Sequence, residues 1–186
     1  MLPMYEIRKS SLTVKRNNYE LSFPEHIHKY IEITYVISGR QRMNVRGVDY
    51  NITAGNGIIV FPDTVHSCLG SGEDADVLII ICDPKIFGSL FPDLKKLKPQ
   101  SPVIPDSRIT PELRFAFNAI SPDSSMEIKF SWTCVILSYI MDILQFDTAA
   151  DAPVDDIAYK IVKYIEENFT DNITRDTLAV RFNVSK

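Results

Sequence analysis

The chain has 186 residues, of which 45% are hydrophobic and 24% charged, and its formal net charge is −4. This is enough apolar material for a core, with no basic excess to attract nucleic acid or an anionic membrane. The opening Met1-Leu-Pro-Met-Tyr-Glu-Ile-Arg-Lys9 lacks the apolar stretch of a signal peptide. Cys68, Cys82 and Cys134 show no metal-ligand spacing, so reduced thiols in a cytoplasm are expected.

All seven glycines lie at or before Gly88, and seven of the eleven prolines fall between Pro84 and Pro122. The distribution predicts a turn-rich first half, a Pro-rich connector and a helix-favouring remainder. Short alternations at Leu12–Lys15 and Tyr19–Phe23 read as strands, with Pro24 ending the second. His26 and His28 are two apart, which places both imidazoles on one face of a strand, and Glu32 shares their parity. The β-branched and aromatic run Tyr30–Ile37 ends at Ser38-Gly39, where a hairpin turn is expected. Arg40–Arg46 alternates again, Gly47-Val48-Asp49 is a turn, and Tyr50–Thr53 and Ile58–Phe61 are further strands leading to His66. Val77–Cys82 is apolar throughout and too short for a membrane span, which reads as a buried strand. Strands at this spacing, with turn residues between, predict an all-β barrel or sandwich.

Beyond the connector the period changes. Thr110-Pro111-Glu112 is a helix start for residues 112–120. A second helix over 126–146 carries only Glu127, Lys129 and Asp142 as charges, so it needs cover on more than one side. Its cover is either its own subunit alone, or the barrel on one side and a partner subunit on the other, with Trp132, Ile136, Tyr139, Ile140 and Ile143 as the contact set. Residues 147–156 are small, polar and Pro-broken, as in a linker. The helix from Ile157 ends near Asn168, and Thr174 caps another carrying Leu178, Ala179 and Phe182. Asn183 is placed for the left-handed position after that helix, and Ser185 for capping a third.

His26-x-His28-x3-Glu32-x6-Gly39 resembles the first motif of the cupin superfamily, a small antiparallel barrel. That resemblance implies a metal set of His26, His28, Glu32 and His66 for a divalent ion such as Zn, Ni, Mn or Fe. The chain departs from the superfamily pattern at Glu20, Phe61, Asp63 and Gly70. The alternative is that the histidines hydrogen-bond a ligand or backbone at the barrel mouth. Parity with Glu32 adds Tyr30 and Thr34 to a candidate effector pocket, or equally to plain core filling.

The tail, with Tyr164, Ile165, Asn168, Ile173, Leu178, Ala179, Phe182, Val184 and Ser185, resembles the start of the DNA-binding region of the AraC/XylS family of transcription regulators. That family joins a cupin-like barrel, dimerising helices, a linker and two helix-turn-helix units. The resemblance implies a barrel over residues 1–84, a connector with dimerisation helices over 85–146, and a truncated helix-turn-helix start over 157–186. Ser185 and Lys186 would open the first recognition helix. Residues 154–186 carry five basic and six acidic side chains, which is no DNA footprint, so DNA contact is expected only through a missing C-terminal region. The implied function is a homodimeric, effector-responsive regulator with neither enzymatic activity nor a membrane association. The competing reading is a metal-dependent cupin enzyme, a dioxygenase or isomerase, using the same His–Glu set.

Overall fold

The computed structural model describes residues 3–70, 74–91, 94, 97–146, 157, 160, 161, 164, 165 and 168–184. The linker over 147–156, and Ser185 and Lys186, lie outside the described residues. The chain divides into two units, Pro3–Asp147 and a second that includes Thr148–Lys186.

The described residues of the first unit form nine strands: β1 Met4–Tyr5, β2 Leu12–Asn17, β3 Phe23–Ile27, β4 Ile31–Val45, β5 Val48–Thr53, β6 Gly57–Val60, β7 His66–Leu69, β8 Ala75–Cys82 and β9 Val103–Ile104. They form two layers sharing the long β4. One layer runs β1-β3-β7-β4-β5 and the other β2-β8-β4-β6-β9. The architecture is cupin-like, mainly β with helices following, as expected. Among the described residues hydrogen bonding does not close a cylinder, so the two layers face each other with two open edges.

Two expectations about β3 and β4 need correction. Gly39 does not end a hairpin; β4 continues through it to Val45. The pairing with β8 slips between Val36 and Ser38, and Gly39 sits at φ +73, where a Cβ would collide with the Asp74 carbonyl oxygen. A positive-φ glycine serves a strand bend as readily as a turn, and here it lets β4 pass from one layer to the other. The hairpin falls instead at Arg46-Gly47, both at positive φ, between paired Val45 and Val48. Pro24 does not stop β3 either. It lies where the β3–β7 register is irregular, between Phe23 and His26, so its missing N–H disturbs no ladder bond.

Two cores result. Val36, Met43, Val45, Ile58, Val60 and Val77 fill the space between the layers. On the outer face of the second layer, Ile31, Ile33, Leu78 and Ile80 pack with two helices, α1 Pro111–Ala119 and α2 Met126–Ile143. The Thr110 hydroxyl accepts from the Leu113 N–H at 3.3 Å and Pro111 takes the first turn, while Ser125 caps α2 in the same way. Phe117 stacks on Tyr35 with ring centroids 4.2 Å apart. Past Ile143 the chain is extended and bridges Phe146 to Pro99, so α2 is shorter than the expected 126–146.

The cover of α2 also differs from expectation. Ile136 and Ile140 are fully buried and Ile143 nearly so, all within their own domain. They are not on an exposed face. Trp132 and Tyr139 are half-buried, and the accessible apolar side of α2 is Ile128, Trp132, Val135 and Tyr139, with Phe115 of α1 against Trp132.

In the second unit, Ile157, Lys160, Ile161, Tyr164 and Ile165 are helical, and α3 spans Arg175–Phe182. Thr174 accepts from the Thr177 N–H at 3.2 Å while the Thr177 hydroxyl accepts from the Thr174 N–H at 2.9 Å, a reciprocal cap. Asn183 takes the left-handed position, and the Val184 N–H returns to the Ala179 carbonyl. Phe182 meets the Tyr164 ring edge-on. No helix among the described residues is long and apolar enough to cross a membrane.

Candidate functional site

Strand pairing brings the histidines together. His26 of β3 sits directly opposite His66 of β7, which sets their rings 4.0 Å apart, and His28 follows one residue beyond the end of β3. Lys29 and Tyr30 bend the chain, so the histidines and Glu32 do not share one strand as expected. Glu32 arrives instead from β4 in the opposite layer, across the interior. The Asp63 N–H donates to the His28 carbonyl at 2.9 Å and ties down the loop that carries His66. The result matches the set read from the sequence: donor atoms of His26, His28, Glu32 and His66, all buried, lie within 4.8 Å of one another.

Two histidine tautomers are fixed by backbone. His26 Nδ1 meets the Pro24 carbonyl at 2.9 Å, and His66 Nδ1 meets the Thr64 carbonyl at 2.8 Å. A carbonyl only accepts, so both Nδ1 atoms carry hydrogen, and in the neutral ring the lone pair falls on Nε2, which faces the interior. This is how metal-binding imidazoles are held elsewhere. His66 Nε2 is buried without a hydrogen-bond partner, 3.6 Å from Glu32 Oε2. Two acceptors facing each other at that distance call for a proton or a cation between them. His28 Nε2 lies 3.3 Å from the same oxygen, and His28 Nδ1 is buried without a partner.

Electrostatics agree. Burial, aided by His66, lowers the His26 pKa to about 4, so this imidazole is neutral near pH 7. Burial alone would raise Glu32, but the neighbouring His28 and His66 imidazoles outweigh it and hold the carboxylate ionised. Burial, with Glu32 adding to it, pushes the neighbouring Cys68 thiol up to about 12, so it stays protonated. The donor chemistry therefore fits a divalent first-row ion. At a metal–donor distance near 2.1 Å the donors stand roughly 3 to 4 Å apart, so closing from 4.8 Å needs well under an ångström from each.

A cavity of about 170 Å³ opens beside this cluster, at the edge between β2–β8 and β1–β3. His26 and Glu32 form its deep end, Ile79 and Ile81 a wall, and Lys15 and Asn17 part of its rim. Of the other expected pocket residues, Tyr30 packs on Ile79 and Ile81 and its hydroxyl donates to the Arg8 carbonyl at 2.9 Å. It holds the N-terminal segment and does not line the cavity. Thr34 is buried with its hydroxyl unpartnered, and it too is away from the lining.

Sequence reasoning missed Glu6, whose carboxylate comes within 3.9 Å of His28 and which pairs with Arg8 at 2.7 Å. It also missed Gln41. This buried amide accepts from the Leu21 N–H at 2.6 Å and donates to the Leu21 and Arg42 carbonyls, fixing the segment that borders the cavity. No local pattern signals either residue. The parity of β8 alone would have flagged Ile79 and Ile81.

A family model described as the AraC-like ligand binding domain matches residues 11–130. The chain belongs to this family. No curated protein matches the sequence. Among solved structures, an apo ToxT variant from Vibrio cholerae is 12% identical with a TM-score of 0.54, covering 97% of this chain and 73% of that one. Wild-type ToxT with an unsaturated fatty acid bound is also 12% identical, with a TM-score of 0.52 over 94% of this chain and 69% of that one. The AraC-like transcriptional activator CuxR reaches a TM-score of 0.48 at 11% identity, over 84% of this chain and 58% of that one. At these identities the likeness is one of fold.

Proposed function

We propose that this chain is the effector-sensing and dimerising portion of an AraC-type, ligand-responsive transcription regulator acting in the cytoplasm. It is not an enzyme in this reading. The observation that carries the proposal is a small cavity, in a domain of this family, ending on a pre-aimed His–Glu cluster. The cavity takes the effector. Its volume of about 170 Å³ lies below the roughly 300–1,000 Å³ of drug-sized pockets, which favours a molecule much smaller than the fatty acid bound to ToxT. Lys15 and Asn17 serve the outer end of the effector, and His26 and Glu32 its inner end.

His26, His28, Glu32 and His66 would hold a divalent metal, which when bound supplies a fixed positive charge to an anionic effector group. This chain's own part is to keep two imidazole lone pairs aimed inward and Glu32 ionised. Elemental analysis of protein made without a His tag decides the metal: less than about a tenth of an equivalent overturns it.

Dimerisation falls to the accessible side of α2. Ile128, Trp132, Val135 and Tyr139 follow one another at intervals of four, three and four, the spacing of a helix-pairing seam. DNA contact belongs to a C-terminal helix-turn-helix region, of which α3 and the helix before it are the start.

Fused to a DNA-binding module that works only as a dimer, residues 1–186 are expected to drive a reporter, and Val135→Glu to silence it. A silent wild-type fusion, together with a single-chain mass in light scattering, overturns the regulator reading. The cupin-enzyme alternative then leads.

A further inference from the structure

The open edge of the sandwich opposite the His–Glu cavity, between β5 and β6–β9, holds a second cavity of about 180 Å³. Val45, Val60, Phe61, Pro99 and Pro102 supply apolar walls, and four polar residues, Arg46, Tyr50, Thr64 and Gln100, also line it. Among the described residues, Arg46, Tyr50 and Gln100 have no side-chain hydrogen bond or ion pair, while the Thr64 hydroxyl donates to the Pro62 carbonyl. The arginines at positions 8, 16, 42 and 114, by contrast, each face a carboxylate. The lining carries one cation and no acidic residue, whereas the first cavity sets Glu6 and Glu32 against Arg8 and Lys15.

We propose that this second cavity is a separate small-molecule site for a compact amphipathic carboxylate, an aromatic or short-chain acid, with Arg46 as its anion anchor. The volume suits the class. A dry cavity of roughly 150 Å³ holds a benzene ring, and this one is slightly larger and open at the rim where Arg46 stands. Arg46 is also held in place. It occupies the left-handed position of the β4–β5 turn, and its N–H donates to the Val65 carbonyl at 3.0 Å, so the guanidinium starts from a fixed backbone. A planar guanidinium binds a carboxylate through paired hydrogen bonds, and Tyr50 and Gln100 add neutral donors beside it.

The site also touches the first one. Thr64 lines the second cavity, and its carbonyl is the group that fixes His66. An occupant therefore rests against the loop that presents one of the four cluster residues. This assignment stands apart from the effector reading, since it uses a different edge of the sandwich and none of the first cavity's lining residues.

The test titrates benzoate into protein carrying labelled Ile and Val methyl groups, with benzamide as the neutral counterpart. Saturating shifts are expected at Val48, Ile59 and Val60, with a dissociation constant of about 1 mM or tighter. Benzamide and the Arg46→Gln variant should each bind at least ~10-fold more weakly, because the charge-assisted pair is lost. Tyr50→Phe should give a smaller loss. Three results overturn the proposal: shifts confined to Ile79 and Ile81 of the first cavity, no saturable shift up to ~10 mM benzoate, or Arg46→Gln binding like wild type. Arg46 is exposed, so the variant keeps the fold, and the wild-type spectra decide the location by themselves.

Discussion

Acid should destabilise the metal-stripped domain well above the pH at which carboxylates titrate, and His26 is the reason. Its side chain is 3% exposed, and its pKa is lowered from 6.5 to about 4 by burial and by His66. The unfolded chain therefore takes up this proton first, and acid favours unfolding. The contribution is complete above the unfolded value near 6.5 and declines as the pH falls. Below about 4 the loss levels off at about 3 kcal/mol, from a gap of about 2.5 pH units at 1.36 kcal/mol each. Between about pH 7.5 and about pH 5 the same linkage gives a loss of about 2 kcal/mol. Glu32 adds nothing in that window, because its depressed pKa costs stability only as the pH drops below the ordinary carboxylate range. With EDTA present, urea unfolding followed by the single tryptophan, Trp132 on α2, is expected to shift its midpoint by roughly 1 M across the window. His26→Gln should lose most of that pH dependence. An equal midpoint shift in wild type and His26→Gln would refute the reasoning.

Ile140→Asp is expected to unfold the domain, because the side chain is fully buried against α1 and the second layer, whereas Val135→Glu should leave the melting curve nearly unchanged and yield monomers. Light scattering and thermal unfolding, run on both variants, separate these outcomes. Gln41→Leu should cost about 2 kcal/mol, since it leaves the Leu21 N–H and the Leu21 and Arg42 carbonyls without the amide that serves them. Hydrogen exchange at Leu21 would show the loss locally, and an unchanged rate there would count against the role given to Gln41. Glu32→Ala should weaken Zn²⁺ binding by ~100-fold or more in competition with a chromogenic chelator, because it removes a direct donor. An unchanged affinity would mean that the ion binds elsewhere.

The His–Glu set was legible because its spacing survives the details of the path. His26 and His28 keep their common direction although β3 ends between them, and Glu32 meets them from the other layer. Helix starts were legible for a similar reason. Thr110, Ser125 and Thr174 are capped by atoms only three residues away. Gly39 was misread because a positive φ suits a hairpin and a strand bend equally, and only the pairing of Arg40–Val45 with β5 and β7 decides between them. The covered face of α2 was illegible in principle. With three charges in the expected helix, its apolar pattern has almost no phase, so α1 and the sheet, not the helix, determine that Ile136 and Ile140 turn inward. Gln41 and the second cavity gave no signal, since each depends on segments far apart in the chain.

The charge at the His–Glu centre links the effector to the metal. With His26 neutral and Glu32 ionised, the cluster carries a buried negative charge unless a proton or a cation joins it. A buried, uncompensated carboxylate costs several kcal/mol, so something positive belongs between His66 Nε2 and Glu32 Oε2. If that is a proton, the inner end of the first cavity is close to neutral, and it suits an effector that hydrogen-bonds without charge. If it is a divalent ion, the same walls carry a net positive charge and draw an anion. Metal content therefore fixes the sign of the group that the effector presents to His26 and Glu32. The effector of the first cavity and the acid assigned to Arg46 then share a chemistry only in the metal-loaded protein, and only there should benzoate reach the methyl groups at both edges of the sandwich.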